Sequence, residues 1–146
     1  MNPLLAAVAE GWGWKIGKPV EIVATNLFGN AIVKSDAGQF FRIIPEEWRC
    51  DLLATSATEL EEKRKSEDFI CDWEMALMVL RAETAVGTLA TGEAYYLVLP
   101  GVLGGKYSEE NIRKITLVEL LGFSGDMARQ LEGVPDGSQV RIVVKK

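Results

Sequence analysis

Val20-Glu21-Ile22-Val23-Ala24-Thr25, Ala31-Ile32-Val33-Lys34 and Phe40-Phe41-Arg42-Ile43-Ile44 are the stretches on which the fold turns. Each is short and rich in β-branched or aromatic side chains. Asn26-Leu27-Phe28-Gly29-Asn30 follows the first, and Ser35-Asp36-Ala37-Gly38 follows the second. Strand-formers separated by glycine, asparagine and aspartate predict an antiparallel meander. Pro45 closes its third strand, because proline cannot donate to a ladder.

Upstream, residues 3–10 suit a short helix with Pro3 tolerated near its start, and Trp12-Gly13-Trp14 follows it. Downstream the period changes. Ser56 or Thr58 is placed to cap a helix running through Glu59, Glu61, Glu62, Lys63, Arg64 and Lys65. A second helix is expected over 68–82, with Phe69, Trp73, Ala76, Leu77 and Leu80 on its buried face. Residues 94–99 are apolar throughout, which predicts a strand buried on both faces and central in the sheet. Thr116 with Glu119 three residues on is a capping box, opening a helix to about Leu131. Gly122 and Gly125 each cost that helix about 1 kcal/mol relative to alanine, so a close packing contact or a local break is expected there. A turn at 135–138 and a strand at 140–144 complete the chain.

The resulting order is α-β-β-β-α-α-β-α-β. Runs of strands and runs of helices point to an α+β fold. The expectation is a single domain over 1–146, its sheet largely antiparallel (the meander plus two later strands) and packed with three to four helices. Residues 1–10 would be an N-terminal helix or the remnant of a lost domain. A chain of 146 residues accommodates one domain and a self-sufficient core.

The chain contains no histidine. That removes the commonest general base, the commonest zinc ligand, and the Ser-His and Cys-His nucleophile systems. Net charge is -5 and there is no basic run, so nucleic acid is not an expected partner. The first ten residues lack a positive n-region, and no apolar run is long enough for a bilayer; a cytoplasmic protein without membrane contact is expected. Cys50 and Cys71 read as reduced, mostly buried thiols.

Between Glu59 and Glu74 lie seven acidic and three basic side chains, so four of the five net negative charges fall within sixteen positions. Glu59, Glu61, Glu62, Glu67, Asp68 and Asp72 could form a solvated helix pair laced by internal salt bridges, or an acidic face for a cationic protein. Asp68, Asp72 and Glu74 could alternatively hold a metal and support hydrolysis. Trp12 and Trp14 are either core residues or anchors for a partner. Gly104-Gly105-Lys106-Tyr107 ends a glycine-rich loop. Pro100 and Tyr107 stand where a phosphate-binding loop needs glycine and a hydroxyl for magnesium. What is left is a flexible connection, or a loop whose backbone N–H groups and Lys106 grip an anion or a partner carboxylate.

Seven segments in order form a familiar set: Trp12-Gly13-Trp14, Asn26-Leu27-Phe28-Gly29-Asn30, Phe41-Arg42-Ile43-Ile44-Pro45-Glu46-Glu47, Asp72-Trp73-Glu74-Met75, residues 100–107, Phe123-Ser124-Gly125-Asp126 and Pro135-Asp136-Gly137. Together they resemble the bacterial family labelled as the C-terminal domain of a type VI secretion immunity protein. The likeness runs from about Gly11 to Val144. A looser similarity in element order links the chain to the SUKH group of immunity proteins, also α+β. The resemblance implies a protein that protects its producer by binding a DNase effector, with no catalytic residue and no cofactor. The expected function is therefore non-catalytic: an immunity or antitoxin protein occluding a basic toxin with its acidic helices. The alternative is a small-molecule or peptide-binding module using the 100–107 loop, and a remoter one is the carboxylate metal-dependent hydrolase.

Overall fold

The computed structural model describes residues 2–134. The turn at 135–138 and the strand at 140–144 lie outside the described residues. The meander is present, with strands β1 (Pro19–Thr25), β2 (Ala31–Ser35) and β3 (Phe40–Ile44). A fourth strand, β4 (Arg49–Ala54), was not anticipated. The four pair antiparallel in sequence order. Pro45 ends β3 as expected, but the chain turns back at once through one 3-10 turn, Pro45–Glu47. Trp48 makes the reversal in a left-handed conformation, φ 51°. Arg42 then pairs with Asp51 and Ile43 with Cys50 across the new ladder.

Helices cover both faces of this sheet, which is why residues 31–33 are all buried despite the period-two alternation of a strand. On one face Ala31, Val33, Phe41 and Ile43 pack under α1 (Pro3–Ile16) and α5 (Leu117–Leu131). On the other, Ile32 and Phe40 pack with Leu60 of α2 (Ala57–Lys65) and with Phe69 and Trp73 of α3 (Glu67–Glu74). The first helix is longer than the sequence suggested and includes Trp12-Gly13-Trp14.

The capping residues act as read. Ser56 accepts from the Glu59 N–H at 3.1 Å, and Thr116 accepts from the Glu119 N–H at 3.3 Å. Gly125 marks the expected close packing contact: α1 crosses α5 where a Cβ on Gly125 would sit 2.1 Å from the Gly11 carbonyl oxygen, whereas a Cβ on Gly122 would meet nothing nearer than 3.9 Å. A Cβ on Gly11 would in turn lie 2.5 Å from the Gly122 carbonyl oxygen.

Two expectations are corrected. The single helix over 68–82 is divided at Met75, which takes a left-handed conformation (φ 50°) and begins α4 (Ala76–Val86). There are thus five α-helices among the described residues. The break changes the direction of the apolar stripe, so Leu77 and Leu80 are not buried but 58 % and 60 % exposed. Residues 94–99 do not enter the main sheet. They contribute β5 (Glu93–Leu97), which pairs antiparallel with β6 (Ile112–Thr116) in a separate two-stranded sheet. Helix α4 covers β5 and β6, burying Phe28, Ala82, Tyr95, Leu97 and Ile112. The continuous apolarity of β5 comes from this second core rather than from a central place in the first.

Candidate functional site

The Asn26–Asn30 turn is built by its own side chains. The Asn26 carboxamide oxygen accepts from the Phe28 and Asn30 N–H groups at 3.0 and 2.9 Å. Its nitrogen donates to the Trp73 carbonyl at 2.9 Å, fastening the turn to the end of α3. The turn delivers Asn30 to the end of β2, where it meets Glu46 from the 3-10 turn. Asn30 Nδ2 donates to both Glu46 carboxylate oxygens, at 2.8 and 3.1 Å. The Tyr107 hydroxyl donates to the same carboxylate at 3.3 Å.

Arg42 extends the network outward. Its Nε and Nη2 donate to Asn30 Oδ1 at 3.2 and 2.9 Å, and its Nη1 pairs with Asp72. The guanidinium also lies over Trp73, 5.2 Å from the ring centroid, and 5.9 Å from that of Phe69. Planar stacking and a forked donor set explain why an arginine rather than a lysine fills this place. The chain Tyr107–Glu46–Asn30–Arg42–Asp72 thereby joins the second core, the main sheet and α3.

Glu46 is only 2 % exposed. Burial pushes its carboxyl up from 4.5 to about 7, against the opposing pull of its own backbone N–H, Asn30, Tyr107 and the Arg42 charge. Burial, with the nearby charges of Glu46 and Glu47, likewise holds the Tyr107 hydroxyl in its protonated, donating form.

Over this network opens a cleft of about 660 Å³. One wall is β3, the 3-10 turn and β4, contributing Arg42, Glu47, Arg49, Asp51 and Leu52. The opposite wall is the α3–α4 junction, from Cys71 and Asp72 through Met75 to Met78. Glu46, Asn30 and Tyr107 line the cleft as well.

The residues singled out by sequence are distributed unevenly. Glu59, Glu61, Glu62, Glu67, Asp68 and Asp72 are all exposed on α2 and α3, and of these Asp72 reaches the cleft. The salt-bridge lacing is sparse: Lys63 lies 3.8 Å from Glu59. Trp12 is buried in the first core, with its Nε1 donating to Ser124 Oγ at 3.4 Å, so it offers no surface to a partner. Trp14 stacks on Trp12 at 5.9 Å and donates to the Gly11 and Gly125 carbonyls at 2.8 and 3.2 Å. Both tryptophans seal the α1–α5 crossing.

In the glycine loop the backbone N–H groups of the two glycines are not free to meet an anion. The Gly104 and Gly105 N–H groups already donate to the Gly101 and Pro100 carbonyls, both at 2.9 Å. Asn111 pins the loop further, donating to the Leu99 and Lys106 carbonyls. A Cβ on Gly105 would stand 1.7 Å from the Leu99 carbonyl oxygen, so that glycine serves the tight turn itself. Lys106 is exposed and outside the cleft, while Tyr107 faces it. Asp68, Asp72 and Glu74 are exposed, and among the described residues no three metal-ligating side chains are grouped as an ion would require. Cys50 is buried, and Cys71 is exposed rather than buried.

Glu46, Asn30 and Arg42 were not anticipated as a unit. The signal available was that all three fall in the segments carrying the family resemblance, around Pro45 and before β2. A glutamate beside a strand-ending proline reads as solvated until the strand is known to turn back over it.

A family model described as T6SS immunity protein Tdi1, C-terminal, matches residues 54–128, just over half of the chain. Among solved structures, the crystal structure of Atu4351 from Agrobacterium tumefaciens is similar with a TM-score of 0.56 and 17 % identity. The alignment covers 86 % of this chain and 65 % of that one, a likeness of fold. No curated protein matches the chain in sequence.

Proposed function

The chain belongs to the family described as T6SS immunity protein Tdi1, C-terminal, and from that premise we propose that it binds and occludes a basic toxin without turning over a substrate. The observation carrying this reading is the acidic face of α2 and α3, where Glu61, Glu62, Glu67 and Asp68 are all exposed to solvent. Such a face speeds encounter with a cationic partner and selects against acidic ones. The anchoring that Trp12 cannot supply is available beside that face, from Ile70 on α3 and from Leu77 and Leu80 on α4, all exposed. A nuclease effector suits the charge, since enzymes that grip phosphates present cationic surfaces. No helix among the described residues is long and apolar enough to cross a membrane, and the cytoplasm of the producing cell is the proposed place of action.

The test is charge reversal at Glu61, Glu62 and Asp68 together, with binding to the cognate effector followed at several salt concentrations. Association should slow by about tenfold or more at low salt, with a flatter salt dependence. Unchanged affinity and salt slope would place the interface elsewhere.

A second reading, a peptide or small-molecule site, draws on one observation: Tyr107 of the 100–107 loop lines the 660 Å³ cleft beside a buried carboxyl. Pockets of this volume are ordinary for small ligands.

A further inference from the structure

We propose that the cleft between β4 and the α3–α4 junction receives one basic side chain, arginine or lysine, carried on an extended segment of the effector. The inference rests on the effector-binding reading above and names the part of the effector this surface takes.

Charge selects the occupant. Besides the buried Glu46, three solvent-reaching carboxylates, Glu47, Asp51 and Asp72, line the cleft against two guanidinium groups, Arg42 and Arg49. Both cations are already engaged: Arg42 by Asp72 and Asn30, Arg49 by Asp51 at 2.7 Å and Glu47 at 3.6 Å. The Glu47, Asp51 and Asp72 side chains stay between 39 % and 69 % exposed, and each carboxylate can accept several hydrogen bonds. An anion would have to displace these internal partners. An uncharged apolar group would strip water from the carboxylates and give nothing back. A cation satisfies both demands.

Shape and polarity select the rest. Leu52 and Leu77 stand half or more exposed on opposite walls, and the half-buried Met75 and Met78 line the cleft with them. A long aliphatic stem with a charged end matches that lining, its methylenes against leucine and its head toward the carboxylates. Thioethers adapt to an irregular stem more readily than branched side chains do. At about 660 Å³ the cleft has room for such a side chain and the backbone on either side of it.

The experiment uses the full chain and two variants at exposed wall positions, Ala76→Trp to fill the cleft and Leu77→Lys to place a like charge in it. Their thermal midpoints should match the parent. Binding of a catalytically inactive cognate effector should weaken by about tenfold or more in both variants. A blocked arginine tripeptide, titrated by nuclear magnetic resonance, should shift the Asp72, Leu77 and Tyr107 amides, and its citrulline counterpart should not. An effector that binds parent and variants alike overturns the cleft inference while leaving the immunity reading standing. An effector that binds none of them overturns both. Equal shifts from arginine and citrulline peptides would reject a charge-selected pocket.

Discussion

Asn30 holds Glu46 with a single amide nitrogen, at 2.8 and 3.1 Å from the two carboxylate oxygens, in a place where Glu46 is almost wholly removed from water. Neutral donors compensate a buried charge only in part, so the protonated acid is favoured. The same amide's oxygen takes the Arg42 guanidinium, and the carboxyl therefore meets that positive charge at second hand.

A pH dependence of stability follows. Below about 4.5 Glu46 is protonated both folded and unfolded; between 4.5 and about 7 the unfolded chain has lost the proton and the folded chain keeps it. Above about 7 the folded chain must bury a charge. The contribution is thus fully present below the unfolded value and is lost as pH rises through the folded one, by about 3 kcal/mol in total. Glu46→Gln should remove this slope. Urea midpoints for parent and variant, taken between about pH 5 and pH 8, should converge at the acid end and separate toward the basic end, with the parent falling. Parallel profiles would show that Glu46 titrates as a solvated carboxylate.

The α1–α5 crossing gives a contrast within one helix. Gly125→Ala drives a Cβ to 2.1 Å from the Gly11 carbonyl oxygen, a backbone atom that cannot step aside. It should cost about 3 kcal/mol or more, as over-packing in a rigid contact does. At Gly122 an added Cβ would find its nearest neighbours at 3.9 and 4.0 Å, ordinary contact distances. Gly122→Ala should therefore be neutral or stabilise by up to about 1 kcal/mol through helix propensity. Chemical denaturation of the two variants distinguishes these signs.

The cysteines should react in two stages. Cys71 is exposed on α3, whereas burial and the Asp51 charge push the Cys50 thiol up to about 12. Thiolate is the reacting species, so a water-soluble disulfide reagent should label one thiol of the folded chain at once and the second only on unfolding. Cys71→Ser should abolish the fast phase and leave the slow one.

The meander, the Ser56 cap and the Thr116–Glu119 pair were legible in the sequence because each depends on neighbours a few residues away. Residues 68–82 misled because Phe69, Trp73, Leu77 and Leu80 continue a helical stripe across Met75, and a left-handed methionine has no local signature. At the break the Trp73 carbonyl accepts instead from Asn26, 47 positions away, a partner no local pattern reveals. β4 was hidden because Arg49-Cys50-Asp51 carries two charges and pairs only once Trp48 has reversed the chain. The acidic residues of α2 and α3 could be listed from sequence but not the cleft, since its walls come from separate elements that meet only in the folded chain.

The crossing of α1 and α5 also sets a timetable for synthesis. Gly11 waits for a partner over a hundred residues later, and until 117–131 have left the ribosome, Val33, Phe41 and Ile43 face water with half their cover missing. Contacts of such long sequence separation form late. A nascent chain that stops before α5 therefore leaves this face of the meander short of one of its two covering helices, and the fold closes only once 117–131 have emerged.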